Sequence, residues 1–509
     1  MRRYILVVLT FVLLGKTTVQ TSYAATSNPI DSTCCSTMDV PTMMDDPQIS
    51  DDSIYAKPQK PHILAAVLEN LGVNVAVYSA DRWILKREYC IEDFSFIKTN
   101  LRRGFKFDTD HFETNFAGHP YHGAIYYTAA RSNNLPVWAS SLSALAGCLF
   151  WEEFTETDYP SINDVFSTTI GGIALGEMMT KMAKLPLNDK KRGFNRLGRE
   201  FFSAVLNPMS GLNRIIYGDA WNVKDQEYLY HDREAIPYKI DLSLGYSHFR
   251  GKGNSASNEA FISLESDYGH DTETDGSFYD KFRMGIFLTL PHKRALINEL
   301  TVNGRMIGWQ ILNKPKTEAL FSFNLDFSYY NYEKEYAIKG NRSSLLRFNE
   351  SAAMGPAFTW QHFGNLQFKQ QLQSNLVMMG AYTSDYCNRD YNMGSGYNIK
   401  LLNELSYKDR FCFSLDFGHH YLFVWKGYED YQLEKKPDLK KFSLKTGRSG
   451  GEKGHCTFLI IRPTLDIKCT GNIHFKASLN YFLRKSVYKY QENVDSYYYD
   501  LRLGLTYRL

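Results

Sequence analysis

The sequence predicts a mainly β protein, a transmembrane antiparallel β-barrel of about twelve strands preceded by an α-helical module. Three observations lead to this prediction. The second half of the chain alternates apolar with polar residues over many segments, the last residues form one such segment, and the first residues have the pattern of a secretory signal peptide.

The N-terminal residues MRRYILVVLTFVLLG join a positive start, Arg2 and Arg3, to a short apolar core. Small residues at Ser22 and Ala24 then stand at the two positions that a signal peptidase reads. Residues 1–24 are therefore predicted to be a signal peptide that directs export.

Residues 25–60 are rich in Asp, Ser, Thr, Met and Pro, and are predicted to form a disordered leader because they cannot build a core. Beyond the signal peptide, no stretch reaches about 18 uninterrupted apolar residues, so no ordinary transmembrane helix is expected.

Residues 237–509 have the period of two that strands require. In the last strand one face is apolar, with aromatic residues at both ends: Tyr499, Leu501, Leu503, Leu505, Tyr507 and Leu509. The other face is mostly polar. Lipid-facing strands of outer-membrane barrels have this pattern, with aromatic girdles at the two interfaces. A soluble sandwich also alternates, but it would not explain an apolar face on nearly every strand.

Strands are predicted near residues 239–249, 258–268, 280–291, 298–312, 321–329, 344–360, 365–382, 396–408, 411–425, 457–469, 473–484 and 499–509. Twelve is an even number, as bacterial barrels require. From the sixth strand onward the connections alternate between short and long. If the last residue is periplasmic, the long loops lie outside the cell.

Composition agrees with a barrel: 15% of the residues are aromatic and the mean hydropathy is −0.37. A net charge of +3 is too small to indicate nucleic-acid binding. The expected partners are outer-membrane lipid and the barrel insertion machinery, because Gly504, Tyr507 and Leu509 resemble its C-terminal recognition signal. That signal usually has an aromatic residue where this chain has Leu509. No soluble partner can be identified.

The 8 cysteines lack CxxC or metal-like spacing, so zinc is unsupported and no cofactor is predicted. Export permits disulfides, but the spacing assigns no pairs, and free buried thiols fit equally well.

Residues 61–236 are predicted to form a helical module that is membrane-associated or plugs the barrel. It contains the motifs HPYHG (119–123), Ala130-Arg131, Trp151-Glu152, PSIND (160–164) and Gly172-x-x-x-Gly176-Glu177. This block resembles a family of Gram-negative outer-membrane proteins known only as a domain of unknown function. The resemblance implies an outer-membrane location and a C-terminal barrel, and it brings no established activity.

Seven ionisable residues of this block lie on otherwise semi-apolar helices and are the candidate site residues: His119, His122, Arg131, Glu152, Glu156, Asp164 and Glu177. Ionisable groups in such surroundings must be paired or functional. In the catalytic interpretation His122 is a general base oriented by Glu152 or Glu156, and Arg131 holds a phosphate or carboxylate. In a metal-binding variant, His119, His122 and a carboxylate are the ligands.

In the structural interpretation Arg131 pairs with Glu152 or Glu156, and the histidines donate to backbone carbonyls. The chain is therefore expected to be an outer-membrane envelope protein with a binding, transport or structural role. The alternatives are an enzyme that modifies outer-membrane lipid through the His/Arg/Glu cluster and a channel for polar solutes. Whether the protein is an enzyme stays open at this point.

Overall fold

The protein is described from a computed structural model that covers residues 60–87, 89–90, 95–108, 110–223, 236–252, 256–290, 295–332, 346–386, 391–408, 410–428 and 449–509. The predicted signal peptide (1–24) and residues 25–59 of the predicted leader lie outside the described residues.

The module is helical, as predicted, and its helices are α1 (Ile63–Ser79), α2 (Ser95–Arg103), α3 (His119–Ser132), α4 (Val137–Phe154), α5 (Ile162–Phe166), α6 (Gly172–Lys184), α7 (Gly193–Leu206) and α8 (Pro208–Ile216). A π-helical turn, Ser167–Gly171, joins α5 to α6 into one continuous rod. Ser161 caps α5 by accepting a hydrogen bond from the Asp164 backbone N–H.

The described residues from 236 onward form twelve antiparallel strands that close into a barrel. The strands are β1 (Tyr238–Gly251), β2 (Ser257–Tyr268), β3 (Phe282–Thr289), β4 (Ile297–Lys314), β5 (Thr317–Asn331), β6 (Arg347–His362), β7 (Leu366–Thr383), β8 (Tyr391–Tyr407), β9 (Phe411–Phe423), β10 (Gly454–Thr470), β11 (Ile473–Tyr488) and β12 (Val494–Arg508). Each predicted strand is present, and the pairing of β1 with β12 closes the sheet.

The uncovered outer face of the barrel is largely apolar. On β12, Leu501, Leu503 and Leu505 are exposed, while the intervening Asp500 and Thr506 are buried inside. Leu244 of β1 pairs with Leu505, so the apolar surface continues across the closing seam. This is the surface that a transmembrane barrel presents to lipid, as the alternation predicts.

Aromatic and aliphatic side chains fill the lumen toward the end that carries the long connections. We call this set the lumen layer; its members include Phe249, Tyr332, Phe348, Phe458, Phe482 and Tyr498. The rings of Phe348 and Phe458 stack with centroids 4.5 Å apart. Side chains of the barrel itself therefore close this part of the lumen.

Below the lumen layer the interior is lined by paired charges. Glu299 accepts from Arg462 at 3.0 Å and also pairs with Arg502, and Asp326 accepts from Lys400 at 2.8 Å. A cavity of about 220 Å³ remains near the end with the short turns, and acidic and basic side chains line it together. The charged side chains that line the lumen are thus largely paired with one another.

The helical module packs on the outer wall of the barrel. The Phe112 ring lies 5.4 Å from the Tyr329 ring and 5.5 Å from the Tyr391 ring. Tyr391 is on the same face of β8 as the exposed Tyr397, so this contact is outside the lumen. At the other end of the module, the Ser266 hydroxyl of β2 contacts the Met182 sulfur of α6 at 3.5 Å.

The module thus runs diagonally from the turn end of β2 to the loop end of β8. Its interface with the wall includes Phe116, Leu175, Met178, Phe282, Val302, Phe327 and Met393. The expectation that the module plugs the barrel is wrong for the described residues, because its apolar side covers outward-facing strand residues instead.

Helix α1 and its π-helical extension, Ile63–Ile84, are long and apolar enough to cross a membrane, by length and composition only. This corrects the expectation that no such helix exists after the signal peptide. Asn70 and Asn74 interrupt the apolar run, which hides the helix from a search for uninterrupted apolar residues. Both are buried: Asn70 donates to the Ser143 hydroxyl at 2.6 Å, and Asn74 accepts from the Tyr126 hydroxyl at 2.5 Å.

Helices α3 and α6 cross at glycines. A Cβ on Gly172 would lie 2.5 Å from the carbonyl carbon of Gly123, and a Cβ on Gly176 would lie 2.6 Å from the Tyr127 ring. The two backbones can approach this closely only because these glycines have no side chains.

We expect Gly172→Val to destabilise the protein by about 1–3 kcal/mol, because the added carbons must push α3 and α6 apart. Urea unfolding of the refolded protein in detergent, followed by tryptophan fluorescence, measures this. Gly198→Ala on α7 is the matched control: nothing lies within 4 Å of its Cβ. It should be neutral or stabilising by up to about 1 kcal/mol. Equal effects of the two substitutions would contradict the close crossing.

Candidate functional site

The N-terminal end of α3 and the C-terminal end of α4 lie at the barrel end that carries the long connections, which we call the loop rim. Tyr391, the first residue of β8, donates its hydroxyl to the Asp110 carbonyl at 2.5 Å. Asn331, the last residue of β5, donates to Glu113 at 2.9 Å. The Phe107 ring packs against Trp425, which follows β9. These contacts fix the module to the rim.

Three of the predicted site residues meet at the loop rim: His119, Glu152 and Asp164. Each offers a ligand atom, and these atoms lie within 4.8 Å of one another. His119 Nε2 is 3.7 Å from Asp164 Oδ1. Glu152 and Asp164 are buried and the His119 side chain is 11% exposed. We call these three residues the rim triad.

The chain after α4 brings the triad together. Residues 160–161 lie beside Lys106, where Lys106 N–H donates to the Pro160 carbonyl and Ile162 N–H donates to the Lys106 carbonyl. This clamp places the Ser161 N–H so that it donates to Glu152 Oε2 at 2.7 Å. It also starts α5, whose first turn carries Asp164. The PSIND motif is thus the turn that joins the end of α4 to the start of α5.

Polar side chains that the sequence interpretation missed surround the triad. Asn163 Nδ2 donates to Asp164 Oδ1 at 2.9 Å and to Asp108 Oδ1 at 3.1 Å, and Asp108 also hydrogen-bonds to Asp164. The Thr168 hydroxyl lies 3.3 Å from His119 Nδ1. The acidic run FDTDHFET, directly before the HPYHG motif, was the available signal for Asp108.

Glu156 lies next to the triad but does not join it. Its carboxylate accepts a hydrogen bond from the Trp151 indole N–H at 2.6 Å. Burial, together with the neighbouring charge of Asp110, raises the pKa of Glu156 to about 8. The loop rim therefore concentrates acidic groups in a poorly solvated place.

Arg131 and Glu177 form a separate pair on the α3–α6 interface. Arg131 Nε and Nη2 donate to the two Glu177 carboxylate oxygens at 2.9 and 3.2 Å, and the Tyr127 hydroxyl donates to Glu177 at 2.8 Å. The expected pairing of Arg131 with Glu152 or Glu156 is therefore wrong. Since Arg131 is fully occupied by Glu177 and the Leu135 carbonyl, it has no spare donor fork for a phosphate.

His122 is separated from the triad although it is one helical turn from His119. Its ring packs 4.5 Å from Tyr126 and 5.2 Å from Trp151, and its Nε2 has no hydrogen-bond partner among the described residues. No carboxylate orients it as a general base, and it donates to no backbone carbonyl that the structure describes. The catalytic geometry expected for His122 is absent from the described residues.

A comparison with protein families matches the part of the chain that contains this site. Residues 104–209 match the family described as "Domain of unknown function (DUF3943)", which confirms the resemblance over that part of the chain. The matched range includes all seven candidate site residues. No curated protein matches the chain.

Among the solved structures that match the chain, each covers about half of its length. A NanC porin is 12% identical, covers 53% of this chain and 100% of its own, and has a TM-score of 0.27. OprD of Pseudomonas aeruginosa is 11% identical over 53% and 95%, with a TM-score of 0.25. DcaP of Acinetobacter baumannii is 8% identical over 54% and 97%, with a TM-score of 0.21. At these scores nothing follows about what this chain does.

We expect Arg131→Met to destabilise the protein by about 3–5 kcal/mol, because it leaves the Glu177 carboxylate buried beside a single hydroxyl donor. Urea unfolding midpoints in detergent check this. Arg192→Met, an exposed position just before α7, carries the same chemical change and should shift the free energy of unfolding by no more than about 0.5 kcal/mol. A loss as small as the control's would contradict a structural role for the pair.

Proposed function

We propose that this chain is an outer-membrane envelope protein in which a side-chain-filled barrel anchors a helical module at the barrel–lipid boundary, and that the module carries its binding or structural role. One observation carries the proposal: the module covers outward-facing strand residues, as in the stacking of Phe112 on Tyr329 and Tyr391. The barrel then serves as the anchor rather than as a conduit.

The outward surface of the module supports a position in lipid. Helix α1 exposes Leu64, Leu68, Leu71 and Val75 on its free side, and α7 exposes Phe194, Leu197, Phe201 and Phe202. These side chains are as exposed as the lipid-facing leucines of β12. Exposed apolar faces of this size in water would be an association hazard, whereas lipid accommodates them.

Orientation follows from the barrel rule that short turns face the periplasm and long connections face outside. With that orientation the loop rim and the rim triad lie at the level of the outer leaflet. Outer-membrane lipid is then the partner in direct contact with the module. Export by the signal peptide and insertion through Gly504, Tyr507 and Leu509 complete the proposal; Tyr507 and Leu509 are exposed on the barrel.

The enzyme alternative, in which His122 acts as a base with Arg131 as a phosphate holder, finds no support in the geometry of those two side chains. The channel alternative requires an open lumen, and the lumen layer opposes it. A binding or structural role needs neither a general base nor a passage, and it uses the surfaces that the fold leaves available.

We expect lipids with photoactivatable acyl chains to crosslink α1 and α7 as well as the outer face of β12. The refolded protein in vesicles is irradiated, and labelled peptides are mapped by mass spectrometry. Peptides with Leu68, Leu71, Phe201 and Phe202 should be labelled, as should those with Leu503 and Leu505. The lumen residues Phe348 and Phe458 are the internal control and should stay unlabelled. Labelling of the barrel alone would contradict the proposed position of the module.

We expect the wild-type protein to show no steady conductance in planar bilayers, because the lumen layer fills the passage. Replacing the stacked pair, Phe348→Ala with Phe458→Ala, should raise the conductance by removing two rings from that layer. Phe413→Ala with Phe417→Ala on the outer face of β9 is the matched control and should leave the conductance at the wild-type level. Steady wild-type conductance would favour the channel alternative.

A further inference from the structure

We propose that the rim triad, His119, Glu152 and Asp164, binds one divalent transition-metal ion. The site would be an addition to the proposed function, since anchoring of the module by the barrel does not depend on it. The triad differs from the metal-binding variant expected from the sequence, in which both histidines were ligands: His122 lies against Tyr126 and Trp151 instead.

The distances within the triad suit a shared ion better than direct hydrogen bonds. The 3.7 Å between His119 Nε2 and Asp164 Oδ1 exceeds hydrogen-bond length. Two ligands that each lie about 2.0–2.2 Å from one tetrahedral ion are roughly 3.4 Å apart. A small inward shift of the three side chains would therefore complete the coordination.

A second polar group holds each of the three ligands. Thr168 Oγ1 contacts His119 Nδ1, which leaves Nε2 directed toward Asp164. The Ser161 N–H holds Glu152 Oε2, and Asn163 holds Asp164 Oδ1. Partners of this kind orient metal ligands and fix the tautomer of a ligating histidine.

An orphaned atom gives independent support. Glu152 is only 1% exposed, and its buried Oε1 atom has no hydrogen-bond partner among the described residues. A buried carboxylate oxygen without a partner is costly, and a bound cation is one of the few groups that can satisfy it. Because this carboxylate belongs to the triad, an ion bound there would be the partner that Glu152 Oε1 lacks.

Charge balance points in the same direction. Glu152 and Asp164 are buried beside Asp108, and in the described residues neither of the first two forms an ion pair with a lysine or arginine. Two buried carboxylates need compensation, either from protons or from a cation. A divalent ion compensates both at once.

The ligand types indicate the class of metal. One imidazole and two carboxylates suit zinc, manganese or iron, whereas calcium and magnesium prefer oxygen ligands alone. Three protein ligands leave a coordination position open. The 11% exposed side chain of His119 provides the route by which an ion enters from solvent.

Metal content of the whole chain tests the proposal. Full-length protein in detergent is stripped with chelator, exposed to Zn²⁺ or Mn²⁺, passed through gel filtration and measured by inductively coupled plasma mass spectrometry. We expect one ion per chain for wild type. His119→Gln and Glu152→Gln should each weaken binding by more than about 100-fold, since loss of a ligand exceeds the effect of its supporting partners.

Glu156→Gln is the matched control, because it makes the same change at a half-buried acidic neighbour that lies outside the triad. It should keep wild-type metal content. Heat-induced mobility shift in gel electrophoresis verifies that every variant is folded. The proposal is overturned if folded wild type binds neither ion, or if Glu152→Gln and Glu156→Gln lose metal equally.

A variant of Thr168, which holds the His119 ring, distinguishes coordination of an ion from nonspecific attraction of cations. Thr168→Val keeps the shape of the side chain but removes the group that holds His119 Nδ1. It should weaken metal affinity by about 10-fold without changing the number of ions bound. Co²⁺ offers a spectroscopic reading: visible d–d bands should appear for wild type and be absent for His119→Gln. Identical Co²⁺ spectra for the two proteins would reject imidazole coordination, whatever the outcome of the lipid and conductance measurements.

Discussion

The structure depends on the pairing of β1 with β12, which turns a twelve-stranded sheet into a barrel without edges. In lipid every backbone N–H and C=O must be satisfied within the protein, so an open edge is not tolerated. Closure also divides each strand into a face toward the lumen and a face toward the outside. The two faces have different surroundings, and the rest of the structure fills the lumen and covers the outside face.

The lumen face is satisfied by the strands themselves. Toward the loop rim, aromatic residues such as Phe348 and Phe458 fill the interior, and toward the short turns the interior is lined by pairs such as Glu299 with Arg462. The outside face is covered in two ways. Lipid suits the leucines of β12, while on β2 to β8 the helical module takes the place of lipid along a diagonal band.

This arrangement explains why the module mixes apolar and ionisable residues. Its wall-facing and lipid-facing sides are largely apolar, and two groups of ionisable side chains lie away from those sides, one at the α3–α6 interface and one at the loop rim. At the α3–α6 interface, Arg131 and Glu177 neutralise each other. At the loop rim, His119, Glu152 and Asp164 meet, and the charges of the two carboxylates are not fully compensated. This imbalance supports the proposed metal site.

The sequence by itself determined the helical module, the twelve strands, and the inward and outward faces of those strands. These features follow from periodicity and from the conformational properties of single residues, which are local. Only the tertiary structure decided that the module lies on the wall and not in the lumen, since an apolar helix face fits lipid, wall and lumen alike. It also decided that Arg131 pairs with Glu177, that His122 stands apart from His119, and that Asp108, Asn163 and Thr168 surround the triad. Such contacts depend on how α3, α4, α5 and α6 are rotated relative to one another. The spacing of side chains along each helix does not reveal that rotation.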